Sequence, residues 1–84
     1  MDVTEIYLRL TDILREIFDD DTLTAVPTMI AKDVDGWDSL NNIRVILSVE
    51  REFGIKFSAS EIAKFNNVGE LASLTQSKVN HKPG

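Results

Sequence analysis

Apolar residues step through the first part of the chain at intervals of three and four, and that rhythm constrains the fold more than any other feature. Val3, Ile6, Tyr7, Leu10, Ile13, Leu14, Ile17 and Phe18 fall on one stripe of an α-helix. Asp2 and Glu5 stand at capping-box spacing, and Glu5 and Arg9 at i,i+4. Asp19, Asp20 and Asp21 then crowd the far end, where the helix dipole disfavours negative charge. The helix is expected to stop there.

A second helical pattern opens at Asp38, which reads as an N-cap, and closes at Gly54. Its apolar arc is wide: Leu40, Ile43, Val45, Ile46, Leu47, Val49 and Phe53. The β-branched stretch would also suit a strand, but the length from Asp38 to Phe53 and the caps favour helix. Ser58 and Glu61 repeat the capping-box spacing and open a short helix with Ile62 and Phe65 inward. Asn67 and Glu70 open the last one, carrying Val68, Leu71, Ala72 and Leu74. Residues 19–37 show no period and contain Pro27 and Gly36. A connection of that length is either functional or hides a short helical turn, and Val26, Met29 and Ile30 are expected to tack it to the core. The fold class predicted is all-α: a four-helix bundle of three long helices and one short, with a long loop between the first two.

A chain of 84 residues has room for one core, so a single domain over 1–84 is expected, ordered over about 3–76 with a polar tail at 77–84 that frays. The absence of cysteine excludes a disulfide framework, a thiolate metal site and a cysteine nucleophile. The lone His81, in a Lys/Pro/Gly tail, is badly placed for a triad or a histidine metal site. A net charge of −5 repels phosphate backbones and favours partners with basic patches, so nucleic acid is not an expected ligand. No run approaches the ~18–20 apolar residues of a membrane span, and Met1-Asp2-Val3-Thr4-Glu5 lacks a basic, apolar leader pattern. A cytoplasmic monomer without membrane insertion is the expectation, and any catalysis it joins must rest on another protein's machinery.

The most specific segment is Asp33-Val34-Asp35-Gly36-Trp37-Asp38-Ser39-Leu40. It ends in a serine at the first turn of the central helix, where backbone N–H groups lack internal partners and the dipole favours negative charge. A hydroxyl there is well placed to hold a phosphate ester. Serine at a helix start is most often a cap, but Asp38 already fits that role. Leu40 is expected to face the core and fix the helix register, leaving Ser39 outward. A calcium loop is a poor match: with Asp33, Asp35 and Gly36 at its third, fifth and sixth positions, Ala31 and Asn42 would take the first and twelfth. No metal site is expected, and the loop carboxylates read as a solvated acidic surface.

The run Gly36-Trp37-Asp38-Ser39-Leu40, the later Glu50-Arg51-Glu52-Phe53-Gly54 and the Asn67-Val68…Leu71 start of the last helix together resemble acyl carrier proteins. The resemblance covers about Val26 to Leu74; the first helix fits in length and periodicity only. It implies 4′-phosphopantetheine carried on Ser39, with Asp38 as the helix cap read by the modifying enzyme. It implies a non-catalytic carrier of acyl or aminoacyl thioesters, served by a phosphopantetheinyl transferase that supplies magnesium and coenzyme A, and by loading and condensing enzymes. No residue of the chain is expected to be catalytic. By the same resemblance, partners would read Leu40, Asn41, Arg44 and Ile62, and cargo would enter between helices beside Ile46, Phe57, Ile62, Phe65 and Leu71.

Two departures from the family pattern carry information. Fatty-acid carriers usually place acidic residues two and five positions after the serine, whereas Asn41 and Arg44 stand there, with Arg51 further on. That turns the expected setting from fatty-acid synthesis toward a specialised polyketide, nonribosomal-peptide or aminoacyl pathway. Trp37 points the same way, or simply packs on the second helix. Phe57 and Phe65 add bulk where smaller aliphatics leave room, so short or polar cargo held outside the bundle is expected. The competing class is a small helical interaction module with no prosthetic group. A hydrolase would need a nucleophile–base pair, and none is evident.

Overall fold

The computed structural model describes residues 1–81. Its elements are α1 (Val3–Phe18), a short 3-10 turn (Ala31–Asp33), α2 (Ser39–Phe53), α3 (Ala59–Lys64) and α4 (Val68–Asn80), with no strand among the described residues. The long crossing from α1 to α2 does contain a helical turn, which Asp33 closes by accepting the Ile30 N–H at 3.0 Å.

Local chemistry sets each boundary. Asp2, Asp38, Ser58 and Asn67 are the N-caps, each accepting a backbone N–H from three residues on. Only Ser58 and Glu61 complete a reciprocal box. Glu5 instead pairs with Arg9, which also reaches Glu52 at 2.9 Å and so links α1 to α2. Both pairs are solvent-exposed and worth ~1 kcal/mol or less each. Helix α1 ends in a left-handed Asp19, and α2 in a left-handed Gly54 with φ 65°.

The core is built where α1 meets α2 and α4. Ile6, Leu10 and Leu14 of α1 face Val45, Ile46, Val49 and Phe53 of α2 and Val68, Leu71 and Ala72 of α4. Helix α3 contributes the half-buried Ile62, with Phe65 just after it. The crossing loop is fixed at both ends of its path. Buried Thr11 accepts the Ala25 N–H at 2.9 Å, and Arg15 donates to the Leu23 carbonyl at 2.7 Å. Further on, Met29 and Pro27 accept the Val68 and Gly69 N–H groups at 2.9 and 3.0 Å.

Three expectations are corrected here. The wide arc of α2 does not all turn inward: Leu40, Ile43 and Leu47 are 67%, 55% and 52% exposed. At 100° per residue these three lie opposite Val45, Val49 and Phe53, so a single helix cannot bury both sets. Leu40 therefore does not fix the register from inside the core. Val26 and Ile30 are also exposed; of the three expected anchors Met29 is buried, and Ala25 and Val34 join it in tacking the loop down. Helix α4 itself runs past Ser77 to Asn80. Lys78 pairs with Glu61 at 3.1 Å, Val79 packs against the core and Asn80 accepts the Met1 ammonium at 2.8 Å, which offsets the polar composition there. The Ser58 N–H and then Lys78 hold the Glu61 carboxyl below its ordinary range. The part of the expected tail at 82–84 lies outside the described residues.

Gly69 is required by close approach: a Cβ there would stand 2.8 Å from the Pro27 carbonyl oxygen. Gly69→Ala is expected to destabilise the fold by about 1–3 kcal/mol, the usual cost of overpacking against an immovable neighbour, despite alanine's better helix propensity. An unchanged urea midpoint would show that the loop can retreat without loss.

Candidate functional site: the start of α2

Gly36 begins the site with φ 87°, a left-handed backbone that favours glycine although no atom lies where its Cβ would be. Its carbonyl accepts the Asp38 N–H at 2.9 Å and the Asn41 side-chain amide at 2.7 Å. Trp37 then folds back between α1 and α2. Its ring centroid lies 5.3 Å from that of Phe18, and its indole N–H donates to Asn42 Oδ1 at 3.0 Å. The loop aromatic thus packs on both helices and locks the approach to α2.

Asp38 caps α2, its Oδ1 accepting the Asn41 N–H at 2.9 Å and its carbonyl the Asn42 N–H at 2.8 Å. Ser39 is consequently the first helical residue rather than the cap. It is exposed, and its hydroxyl makes no hydrogen bond among the described residues. The Ser39 and Leu40 N–H groups likewise have no acceptor among the described residues, so two free donors sit beside a free hydroxyl at the positive end of a 15-residue helix. This set fits a phosphodiester: donors meet the anion, while the nearest carboxylate, Asp38, is occupied by backbone.

The remaining candidate residues separate into groups. Leu40 and Arg44 are exposed on α2 near Ser39, and Asn41, half-buried, bridges the Gly36 carbonyl and the Arg44 guanidinium, which donates to it at 3.2 Å. Ile62 stands apart on α3, half-buried. Of the cargo candidates, Ile46, Phe65 and Leu71 line a cavity of about 70 Å³ that Met29, Trp37 and Asn42 share. Phe57 and Ile62 do not line it. Phe57 is buried and meets Phe65 edge to face, centroids 5.4 Å apart. Met29 and Asn42 were not singled out for this cavity from the sequence; Asn42 carries no signal beyond its place one turn into the helix.

A family model described as the phosphopantetheine attachment site matches residues 3–75. The chain belongs to this family. It is 39% identical to holo acyl carrier protein from Geobacter metallireducens, whose structure superposes with a TM-score of 0.79 over 89% of this chain and 91% of that one. It is 36% identical over 47 residues to an acyl carrier protein from Cyanidium caldarium, a match to 56% of this chain and 55% of that protein. The chain thus spans about half the length of the curated relative it matches. The all-helical bundle and a 4′-phosphopantetheine prosthetic group go with membership of the acyl carrier family. Among the described residues no helix is long and apolar enough to cross a membrane.

Because Asp38 rather than Ser39 caps α2 in this carrier-family fold, Asp38→Ala is expected to lower stability by about 0.5–2 kcal/mol. Thermal or urea denaturation measures it, and an unmoved midpoint would remove Asp38 from that role.

Proposed function

We propose that the chain carries acyl or aminoacyl groups as thioesters on a 4′-phosphopantetheine arm attached to Ser39 Oγ, and presents them to partner enzymes. The observation that supports this reading is the free hydroxyl beside two free N–H donors, one residue inside a helix whose cap is already filled. When bound, the arm supplies a terminal thiol, so the absence of cysteine from the chain is no obstacle.

In the attachment step Ser39 Oγ forms an ester bond to the phosphorus adjoining the pantetheine of coenzyme A. The pyrophosphate P–O bond breaks, adenosine 3′,5′-bisphosphate leaves, and the hydroxyl proton passes to the transferase or solvent. Charge on the pyrophosphate would be neutralised by magnesium that the transferase brings, with no ligand required from this chain. The chain's own contribution is placement. Asp38 holds the first turn, Asn41 and Trp37 hold the loop against it, and the helix dipole with the Ser39 and Leu40 N–H groups favours the anionic product. The chain acts as a substrate and carrier, with catalysis left to its partners.

Intact mass after incubation with coenzyme A, magnesium and a broad phosphopantetheinyl transferase tests this directly. One phosphopantetheine is expected per chain, and none on Ser39→Ala. An unmodified wild-type chain would favour the plain interaction module.

The cargo belongs to a small class in this reading. The cavity beside Trp37 has room for a few water-sized groups, and the Phe57–Phe65 pair fills the neighbouring space. Short or polar acyl groups held outside the bundle, in a specialised pathway, suit this interior better than long fatty chains. Loading a long acyl chain is expected to leave the Phe57 and Phe65 ring resonances nearly unmoved by NMR. Large shifts of both would mean that the core opens to admit it.

A further inference from the structure

The cavity beside Trp37 and a second, larger groove lie on opposite faces of α2. Asn42 and Ile46 face the cavity, while Arg44, Leu47 and Arg51 line a groove of about 530 Å³ against Ile13 and Ile17 of α1. A volume of that order is typical of small-molecule clefts. The two spaces also differ in charge. No residue lining the cavity is charged, whereas the groove has two arginines on its α2 wall.

Those arginines are uncommitted. The Arg51 guanidinium makes no hydrogen bond or ion pair among the described residues, and Arg44 donates only to the neutral Asn41 amide. Of the two carboxylates on the groove, Glu52 is paired with Arg9 at 2.9 Å. Glu16, on the α1 wall, pairs with neither arginine. An acid entering the groove is thus turned from the α1 side toward the α2 side.

A path joins that wall to Ser39. Residues four apart are neighbours on a helix surface, so Ser39, Ile43, Leu47 and Arg51 form one row that drifts into the groove. At ~1.5 Å per residue the row climbs about 18 Å, a span that an extended pantetheine arm matches. Its two middle members are apolar and exposed, and its far end is a free cation.

We propose that the α1–α2 groove seats the chain's own cargo, and that this cargo is a short acyl group ending in a carboxylate, held at Arg51 with Arg44 beside it. The inference rests on the carrier reading and adds to it the chemical class of the cargo. The arm covers Ile43 and Leu47, and the distal acid meets the guanidinium groups. An uncharged acyl group gains only the apolar contact, and a cationic one is repelled by both arginines.

Coenzyme A thioesters of glutarate and valerate test this, because the two acyl groups differ only in a terminal carboxylate or methyl. A broad transferase places each acylated arm on the full chain, and intact mass shows the loading. At low ionic strength, glutaryl is expected to shift the Leu47–Arg51 amides and the Arg51 Nε–H about two- to fivefold more than valeryl does, relative to the free-thiol form. Added salt shrinks the difference. Arg51→Gln, at an exposed position, is expected to bring the glutaryl shifts down to the valeryl level while the mass still rises on loading. Equal groove shifts from both cargoes would overturn the proposal. So would glutaryl shifts confined to Trp37, Asn42 and Phe65, or a glutaryl effect that survives Arg51→Gln. A chain that gains no mass sinks the carrier reading and this inference together, whereas a loaded chain with unmoved groove signals sinks this inference alone.

Discussion

Two hydrogen bonds hold the architecture on which the candidate site depends. The first N–H groups of α4, from Val68 and Gly69, have no partner within their own helix and are accepted by the Met29 and Pro27 carbonyls of the crossing loop. Each side solves the other's problem. The helix start gains acceptors, and a loop without regular structure gains donors, where an unpaired buried backbone group would cost about 1–3 kcal/mol. The close approach that makes this possible leaves no space for a side chain at Gly69. With the loop fixed there and at Thr11, its later part is short enough for Trp37 to reach Phe18 and Asn42, and Trp37 delivers the chain to Asp38. The position of Ser39 is therefore set from α4 and α1 as well as from its own helix.

The sequence made the helices legible because their signals are local. Caps at Asp2, Asp38, Ser58 and Asn67, and the left-handed Gly54, follow from side-chain chemistry within one turn. The inward face of α2 was less legible. Its apolar residues cover nearly the whole circumference, so periodicity alone could not say that Leu40, Ile43 and Leu47 point away from the core. The loop was the hardest part, since its anchors are backbone carbonyls, and every residue carries one. Nothing in the identity of Met29 or Pro27 announces that its oxygen will serve a helix some forty residues later. The extent of α4 was hard to read for a related reason. Composition saw polar residues, whereas Lys78 is held by Glu61, and Asn80 by the chain's first residue. The exposed place of Ser39 at the start of α2 was legible because helix-terminus chemistry is local, and the motif around it resembles the family to which the chain belongs.

Adjacent placement of Asp38 and Ser39 separates two duties that one residue often combines. A serine that capped its own helix would surrender that hydrogen bond, or have it distorted, when its oxygen became an ester, and caps are worth about 1 kcal/mol. For a chain of this size that would be an appreciable share of a net stability of about 5–10 kcal/mol. With the cap moved one residue back, the hydroxyl can be esterified without disturbing the bond from Asn41 N–H to the Asp38 carboxylate. The same arrangement serves a carrier mechanically. Ser39 lies in the first turn of a well-packed helix, a firm anchor for any group it bears.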